Sequence, residues 1–190
     1  MTGPQRCLTL ALICATAGCS IKAAGSVAQP TALELQLLGA YRKLDDDIIR
    51  ASSVRAARRV NADRDRLAQR AVDARAMQRF NEDDLSELKQ AGCVAEKLDA
   101  RLAAVPCALI ANDPMIEPRR RRVIEQENRA RQQLLDWAAS VLAYRAGQSA
   151  ATPERRREVR SAYVRLLRQA ARPGALFEIS PGQYRPMSVE

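Results

Sequence analysis

The chain has 190 residues and a formal net charge of +9, and its residues are 47% hydrophobic but only 4% aromatic. This composition favours helices that pack through small aliphatic side chains and excludes a β-sandwich. Histidine is absent from the sequence, so no metal site is expected, because two cysteines that remain after processing cannot complete a tetrahedral zinc shell. No cofactor motif and no nucleic-acid-binding module is recognisable, so we expect neither a cofactor nor a nucleic-acid partner.

Residues 1–18 have the features of a secretory signal peptide. Arg6 precedes a short apolar run from Cys7 to Ala15, and this run is far shorter than the ~20 residues of a permanent membrane-spanning helix. The chain is therefore expected to leave the cytoplasm.

Cys19 directly follows Thr16-Ala17-Gly18, and this stretch is similar to the bacterial lipobox, whose cysteine thiol is acylated. We therefore expect a lipid, such as palmitate, on Cys19 and a flexible, membrane-anchored tether over residues 19–30. The alternative is ordinary cleavage after the A-x-A pattern of residues 15–17, which gives a soluble exported protein.

The cysteines are consistent with export. Cys7 and Cys14 leave with the signal peptide and Cys19 carries the lipid, so Cys93 and Cys107 remain as an even pair. Exported proteins meet an oxidising environment, which predicts a disulfide between these two. The alternative is two buried free thiols.

Residues 31–190 are predicted to form one helical domain, which begins with the helices of residues 31–92. Thr31 and Glu34 form a capping box at the start of the first helix. Its apolar stripe consists of Leu33, Leu37, Tyr41, Leu44 and Ile48. Leu38 and Ile49 lie off this stripe, where they can face a second helix or a partner.

The remainder of this N-terminal part is predicted to be two further helices and a loop. Residues 55–79 alternate in charge, which indicates a solvent-exposed helix. Its thin apolar stripe consists of Val60, Leu67, Ala71, Ala74 and Met77. Asn81 begins the next helix and Gly92 ends it. Residues 93–116 are predicted to be a variable loop that is held by the disulfide and is partly helical at Leu98, Leu102 and Val105.

Residues 117–171 are predicted to form a helical hairpin, whose second helix begins at Thr152-Pro153. Glu127 is a carboxylate on the otherwise apolar stripe of the first hairpin helix, and we interpret it as a buried ion pair with Arg131 or a tail group. The cluster Arg119, Arg120, Arg121 and Arg122 lies at the start of this helix, where cations oppose the helix dipole. Two interpretations of the cluster are open: a solvated surface, which is favoured, and a contact to a lipid headgroup or a partner.

The tail, residues 172–190, is predicted to contain strands instead of a helix. The run Leu176–Ile179, the turn Ser180-Pro181-Gly182 and the stretch Gln183–Arg185 predict a short β-ribbon. A lone ribbon is marginal in water, so it is expected to pack on the hairpin through Phe177 or Tyr184. The predicted fold class is therefore mainly α: a helical hairpin or small bundle with a short C-terminal β-ribbon and a disordered N-terminal signal and tether.

The C-terminal third resembles the YdbL-like family of bacterial envelope proteins. The resemblance lies in Glu127–Arg131, in Ala171-Arg172-Pro173-Gly174, in Gly182 and in Tyr184.

Two further stretches, residues 31–41 and 81–93, resemble the larger lipoprotein members of the family. The resemblance implies an envelope accessory protein, associated in some members with large lipid-bridge proteins that reach toward the outer membrane. Ser20, directly after Cys19, implies the periplasmic face of the outer membrane, if the usual sorting of lipoproteins holds.

The function expected from the sequence is therefore a non-catalytic envelope lipoprotein. It would act as an accessory or chaperone-like partner of another envelope component, in lipid transport or outer-membrane maintenance. No histidine and no nucleophile or phosphate-loop motif is present, so we do not expect an enzyme. Two alternatives stay open: an envelope hydrolase acting on peptidoglycan or glycolipid, with Glu127 as its acid or base, and direct binding of anionic lipid.

Overall fold

The computed structural model describes residues 29–53 and 62–188, with side chains described for 29–46 and 66–188. The predicted signal peptide, Cys19 and the tether up to residue 28 lie outside the described residues, as do the side chains of Ile48 and Ile49. The expectations for these positions therefore stay predictions.

The described chain is mainly helical, as predicted. Its helices are α1 (Ala32–Ser53), α2 (Ala62–Phe80), α3 (Glu82–Gln90), α4 (Ala108–Asn112), α5 (Glu117–Arg145) and α6 (Pro153–Gln169), with a one-turn 3-10 helix at Pro114–Ile116. Its strands are β1 (Val94–Glu96), β2 (Leu102–Ala104), β3 (Leu176–Ser180) and β4 (Gln183–Pro186). None of the described helices combines the length and the apolar character that a membrane span requires.

The predicted capping box begins α1. The Thr31 backbone N–H donates to Glu34 Oε2 at 2.8 Å, and the Glu34 N–H donates to Thr31 Oγ1 at 3.3 Å. The second carboxylate oxygen, Glu34 Oε1, accepts a hydrogen bond from Arg165 Nε. One buried glutamate therefore both starts α1 and ties it to α6.

The predicted hairpin consists of α5 and α6. Thr152 begins α6 as its N-cap, because its hydroxyl accepts a hydrogen bond from the Arg155 N–H at 3.2 Å. The main core surrounds the middle of α5, and small or aliphatic side chains dominate it. Its fully buried members include Leu37, Leu134, Ala138, Val159 and Ala162.

Helix α2 is exposed or half-buried over most of its described surface, as its alternating charges indicated, and Leu67, Ala71 and Ala74 of its predicted apolar stripe pack into the main core. Ala71 and Ala74 are buried in the main core, and the helix packs along α5. Two alanines one turn apart present little side-chain bulk, so the backbones of α2 and α5 can approach closely. The charged side chains occupy the rest of the helix surface.

Residues 93–116 contain short helical segments, as predicted, but the rest of this stretch is not a variable loop, because it supplies two strands of a sheet. The order is β2-β1-β3-β4, with β1 parallel to β3 and the outer pairs antiparallel. The predicted β-ribbon, β3 and β4, is thus half of a four-stranded sheet. All residues of the three-residue strand β1 are buried, so the alternation that identifies a half-exposed strand is missing.

The tail contacts both the hairpin and the turn after β1. Phe177 is buried, and the Arg168 guanidinium of α6 lies 5.7 Å from the centre of its ring. Glu178 accepts hydrogen bonds from the backbone N–H groups of Leu98 and Gly182, each at 3.0 Å. One carboxylate thus joins the β1–β2 turn to the β3–β4 turn.

Candidate functional site

A cleft of about 1200 Å³ opens between α1, α2, α3 and α6, and residues of α5, β1 and β3 complete its lining. Part of the lining is apolar and comes from Leu38, Leu85, Leu166, Leu167 and Phe177. The polar part includes Gln78, Lys89, Glu96, Glu127 and Arg131. An extended apolar surface therefore borders a concentrated polar centre.

Arg131 is the hub of this polar centre. Its guanidinium donates two hydrogen bonds to the Glu96 carboxylate, at 2.5 and 3.0 Å, and one to Glu127 Oε1 at 2.8 Å. It also donates to the Ala100 carbonyl oxygen at 3.2 Å. Lys89 Nζ lies 2.6 Å from Glu96 Oε1. The predicted ion pair of Glu127 with Arg131 is therefore present, within a larger network.

Local structure explains how these groups meet. Glu127 and Arg131 are four residues apart on α5, so they share one face of the helix. Lys89 lies in the last turn of α3, where a cation is favoured by the helix dipole. Glu96 ends β1, whose pairing with β2 and β3 carries it to α5.

Burial and ion pairing have opposite effects on the pKa of the Glu96 carboxyl. Burial by itself would raise its pKa, but the charge and hydrogen bonds of Arg131, supported by Lys89, outweigh burial and lower the pKa. Glu96 therefore stays ionised at neutral pH. The two carboxylates Glu96 and Glu127 face the two cations Arg131 and Lys89, so the formal charges of these four groups cancel.

Two tyrosines line the cleft beside the network. The rings of Tyr41 and Tyr163 stack with centroids 6.1 Å apart, and the Arg131 guanidinium lies 5.7 Å from the centre of the Tyr163 ring. Desolvation by burial raises the pKa of both phenols. Both tyrosines are therefore neutral at physiological pH and can donate a hydrogen bond.

Two polar atoms at the cleft lack a hydrogen-bond partner among the described residues. Glu127 Oε1 accepts from both Arg131 and Gln78 Nε2, the latter at 2.9 Å, whereas Glu127 Oε2 is buried without a partner. The Tyr41 hydroxyl is likewise buried without a partner. An unsatisfied buried polar group costs about 1–3 kcal/mol, so each of these atoms calls for an explanation.

Both carboxylates of the polar centre bind Arg131. A glycosidase needs one carboxyl whose pKa is raised, so that it can act as an acid. The pKa of Glu96 is lowered instead, so Glu96 does not fit the role of that acid. No group of three or more residues able to hold a metal ion occurs in the part of the chain that the structure describes.

The four arginines at the start of α5 do not form one surface patch. Arg119 pairs with Asp84 and, at 2.8 Å, with Glu87 of α3. Arg120 is only 8% exposed and donates to the Val105 carbonyl at 2.7 Å. This corrects the expectation of a common headgroup contact, because Arg120 faces the interior.

The two remaining arginines are exposed. Arg121 lies 3.7 Å from Glu117 of the same helix, and Arg122 extends from the helix surface. Arg119 is exposed as well, despite its pairs with α3, so Arg119, Arg121 and Arg122 can each meet a membrane or a partner directly and Arg120 cannot.

Cys93 and Cys107 form the predicted disulfide, with an S–S distance of 2.01 Å. Cys93 belongs to a second small core with Leu88, Val94 and Val123. The disulfide therefore links the residue that precedes β1 to the residue that precedes α4.

Most of the polar centre was missed from the sequence. Of its residues only Glu127 and Arg131 were singled out, whereas Lys89, Glu96 and Gln78 were not. Glu96 directly follows the apolar stretch Cys93-Val94-Ala95 and precedes Lys97, so no sequence pattern distinguished it from a surface carboxylate. Leu38 does line the cleft, as its off-stripe position allowed, while Ile49 and Cys19 fall outside the described side chains.

The comparisons with known proteins identify no relative. No family model matches this chain, and neither the curated proteins nor the solved structures include a significant match.

Proposed function

We propose that this protein is a non-catalytic lipoprotein of the cell envelope that binds another envelope component, as an accessory or chaperone-like partner. The observation that carries the proposal is the 1200 Å³ cleft with its apolar walls and internally paired charges. A cleft of this kind provides burial for a partner's apolar groups and a few fixed polar atoms for orientation.

The charge network supports binding because it is rigid. Arg131 and Glu96 are each 3% exposed and are joined by two hydrogen bonds. A planar guanidinium held by two carboxylates loses little further freedom when a partner arrives. The cleft is therefore preorganised, which raises affinity without supplying chemistry.

The lipid anchor on Cys19 and the tether of residues 19–30 are part of the proposal. A lipid at one end of a tether would hold the cleft close to the membrane while it remains free to turn. Ser20 directly after Cys19 supports a place at the periplasmic face of the outer membrane. The resemblance to the YdbL-like family supports a role in lipid transport or outer-membrane maintenance.

Site-specific photo-crosslinking in living cells tests the binding function. A photoreactive amino acid replaces Leu38 or Leu85 in the cleft, and in a matched control it replaces the exposed Gln148, which lies outside the cleft and outside the arginine cluster. We expect one discrete crosslinked envelope protein from both cleft positions and none from position 148. Monomer alone from both cleft positions, with the chain folded and exported, contradicts the proposal.

Metabolic labelling tests the anchor separately. A palmitate analogue should label the wild-type protein but not the Cys19→Ala variant. Equal labelling, or the absence of label from an exported wild-type chain, contradicts lipid attachment at Cys19.

A further inference from the structure

Three exposed arginines lie together at the start of α6. Arg156 and Arg160 are four residues apart and Arg157 is three residues from Arg160, so the three side chains share one side of the helix. None of these side chains makes an ion pair or a hydrogen bond with another described residue. Like charges at this spacing destabilise a helix, so the charges of the cluster do not stabilise the fold.

The carboxylates of the same two turns do not neutralise these charges. Residues 146–162 contain two carboxylates, Glu154 and Glu158, against four arginines. Glu158 pairs with the fourth arginine, Arg155, at 2.9 Å. The start of α6 therefore carries an excess of positive charge on an exposed surface.

The start of α5 also carries a run of arginines, but carboxylates neutralise most of its charge. Arg119 lies against Asp84 and Glu87 of α3. Arg121 lies 3.7 Å from Glu117 of its own helix. Of the two runs, the run on α6 therefore has more unpaired charge among the described residues.

The start of α1, to which the tether leads, lies beside this part of α6. Leu33 shares a surface groove with Arg157 and Ser161 of α6. The chain from Cys19 to Thr31 spans at most about 40 Å, since an extended chain covers ~3.3–3.6 Å per residue. A flexible chain of this length has a root-mean-square span of about 20 Å. A lipid on Cys19 would therefore keep the α6 arginines near the surface of the membrane.

Anionic phospholipid headgroups fit both the charge and the position of this surface. A guanidinium group binds a phosphate through two parallel hydrogen bonds. Cations close to an anionic bilayer are attracted to it, and this attraction falls off within a Debye length. The tether would hold the arginines close enough to the bilayer for this short-range attraction to act.

We propose that the start of α6, through Arg156, Arg157 and Arg160, docks on the anionic phospholipid surface of the membrane that holds the anchor. This inference rests on the proposed function, because it uses the lipid on Cys19. Arg160 precedes Leu166, a residue of the cleft, by six positions, or about 9 Å along the helix. Docking would therefore hold the cleft beside the bilayer.

Vesicle flotation tests the inference on the mature chain, which begins at residue 19, with the substitution Cys19→Ala. Neither a signal peptide nor a lipid then holds this chain on a vesicle. Vesicles of phosphatidylcholine alone are compared with vesicles that also contain phosphatidylglycerol, which is anionic. Each measurement is made at low salt and repeated at ~1 M salt, where the Debye length is about 3 Å.

The mature chain should bind the vesicles that contain phosphatidylglycerol at low salt. It should bind neither the neutral vesicles nor any vesicle at high salt. The α6 variant, Arg156→Gln/Arg157→Gln/Arg160→Gln, should have a partition coefficient lowered about fivefold for each arginine removed, or roughly 100-fold in total.

The α5 variant, Arg119→Gln/Arg121→Gln/Arg122→Gln, is the matched control. It removes the same number of exposed arginines and the same charge from the other run. Its partition coefficient should fall by less than about fivefold, the effect of a single arginine. Circular dichroism of both variants checks that they are folded.

Three results would overturn the inference. Equal losses in the two variants would assign the attraction to net charge, and a larger loss in the α5 variant would assign it to the other run. A mature chain that does not bind phosphatidylglycerol vesicles at low salt, or binds them equally well at high salt, has no charged docking surface of this kind.

The inference and the proposed function fail separately. A discrete crosslinked partner from the cleft, together with vesicle binding that the α6 variant retains, overturns the inference alone. Vesicle binding that the α6 variant loses, without any crosslinked envelope protein, overturns the proposed binding function while the docking surface stands. Failure of Cys19 to take up the palmitate analogue contradicts the anchor, whereas flotation of the Cys19→Ala chain still decides whether the α6 arginines bind an anionic bilayer.

Discussion

Asn128 closes the outer edge of β2 by bonding both backbone groups of Leu102. Its Oδ1 accepts from the Leu102 N–H at 2.7 Å, and its Nδ2 donates to the Leu102 carbonyl at 3.1 Å. A neighbouring strand would use the same two backbone groups. The side-chain amide thus substitutes for a further strand, protects this edge from pairing with another chain, and ties the sheet to α5.

Replacement of this side chain should weaken the fold. Asn128→Ala removes both partners of Leu102, and the expected loss in the free energy of unfolding is about 1–3 kcal/mol. The measurement is urea denaturation followed by circular dichroism. Gln132→Ala, an exposed position one turn further along α5, is the control, and equal stability of the two variants would contradict the role assigned to Asn128.

Reduction of the disulfide should also destabilise the protein. The bond between Cys93 and Cys107 closes a loop with a sequence separation of 14, for which the chain-entropy model gives about 3 kcal/mol. Thermal melts with and without a reductant measure the effect. The double variant Cys93→Ser/Cys107→Ser should melt at a lower temperature and no longer respond to the reductant; a response of wild-type size would exclude this bond as its source.

Replacement of Arg131, at the centre of the charge network, should lower the free energy of unfolding more than the other changes described here. Arg131→Met leaves Glu96 and Glu127 buried beside an uncharged side chain, and breaking a buried pair in this way costs about 3–5 kcal/mol. Arg129→Met on the same helix breaks only the exposed pair with Glu125, which is worth about 0–1 kcal/mol. Chemical denaturation compares the two variants, and similar losses would argue against a structural network.

The Glu178 carboxylate should make stability depend on pH. Hydrogen bonds from the backbone N–H groups of Gly182 and Leu98 lower its pKa below the ordinary value of 4.5. Its contribution is therefore fully present above pH 4.5 and is lost as the pH falls through the lower pKa of the folded state.

A comparison of Glu178→Gln with the wild type measures this dependence. The variant should be less stable at neutral pH, and the difference should shrink steadily below pH 4.5 as the wild-type carboxyl takes up its proton. Denaturation curves over this pH range provide the measurement. A constant difference across the range would assign the loss to side-chain geometry instead of charge.

Local signals predicted the helices correctly where they were strong. The start of α1 was predicted from Thr31 with Glu34, and the start of α6 from Thr152 with Pro153. Both predictions are correct because a helix cap involves residues at most three positions apart in the sequence. The position of Glu127 on an apolar stripe likewise predicted its pairing with Arg131, since residues four apart share a helix face.

The strands of residues 93–116 had no comparable signal. The spacing of Leu98, Leu102 and Val105 favoured a helix, yet Leu102 lies in β2 and Leu98 is an exposed turn residue. Only the pairing of β1 with β3, whose partners Ala95 and Leu176 are far apart in the sequence, selects the extended conformation.

The sequence by itself determined the helical class, the helix starts and the even pair of cysteines, because each follows from composition or from residues that are close neighbours in the chain. The tertiary structure decided the sheet, the inward orientation of Arg120 and the cleft with its centre of Lys89, Glu96, Glu127 and Arg131. These features bring together residues of α3, β1 and α5 that are far apart in the sequence, and no local sequence pattern indicates which distant residues come into contact. The physical reason is that burial and charge pairing act through space, whereas propensity and capping act along the chain.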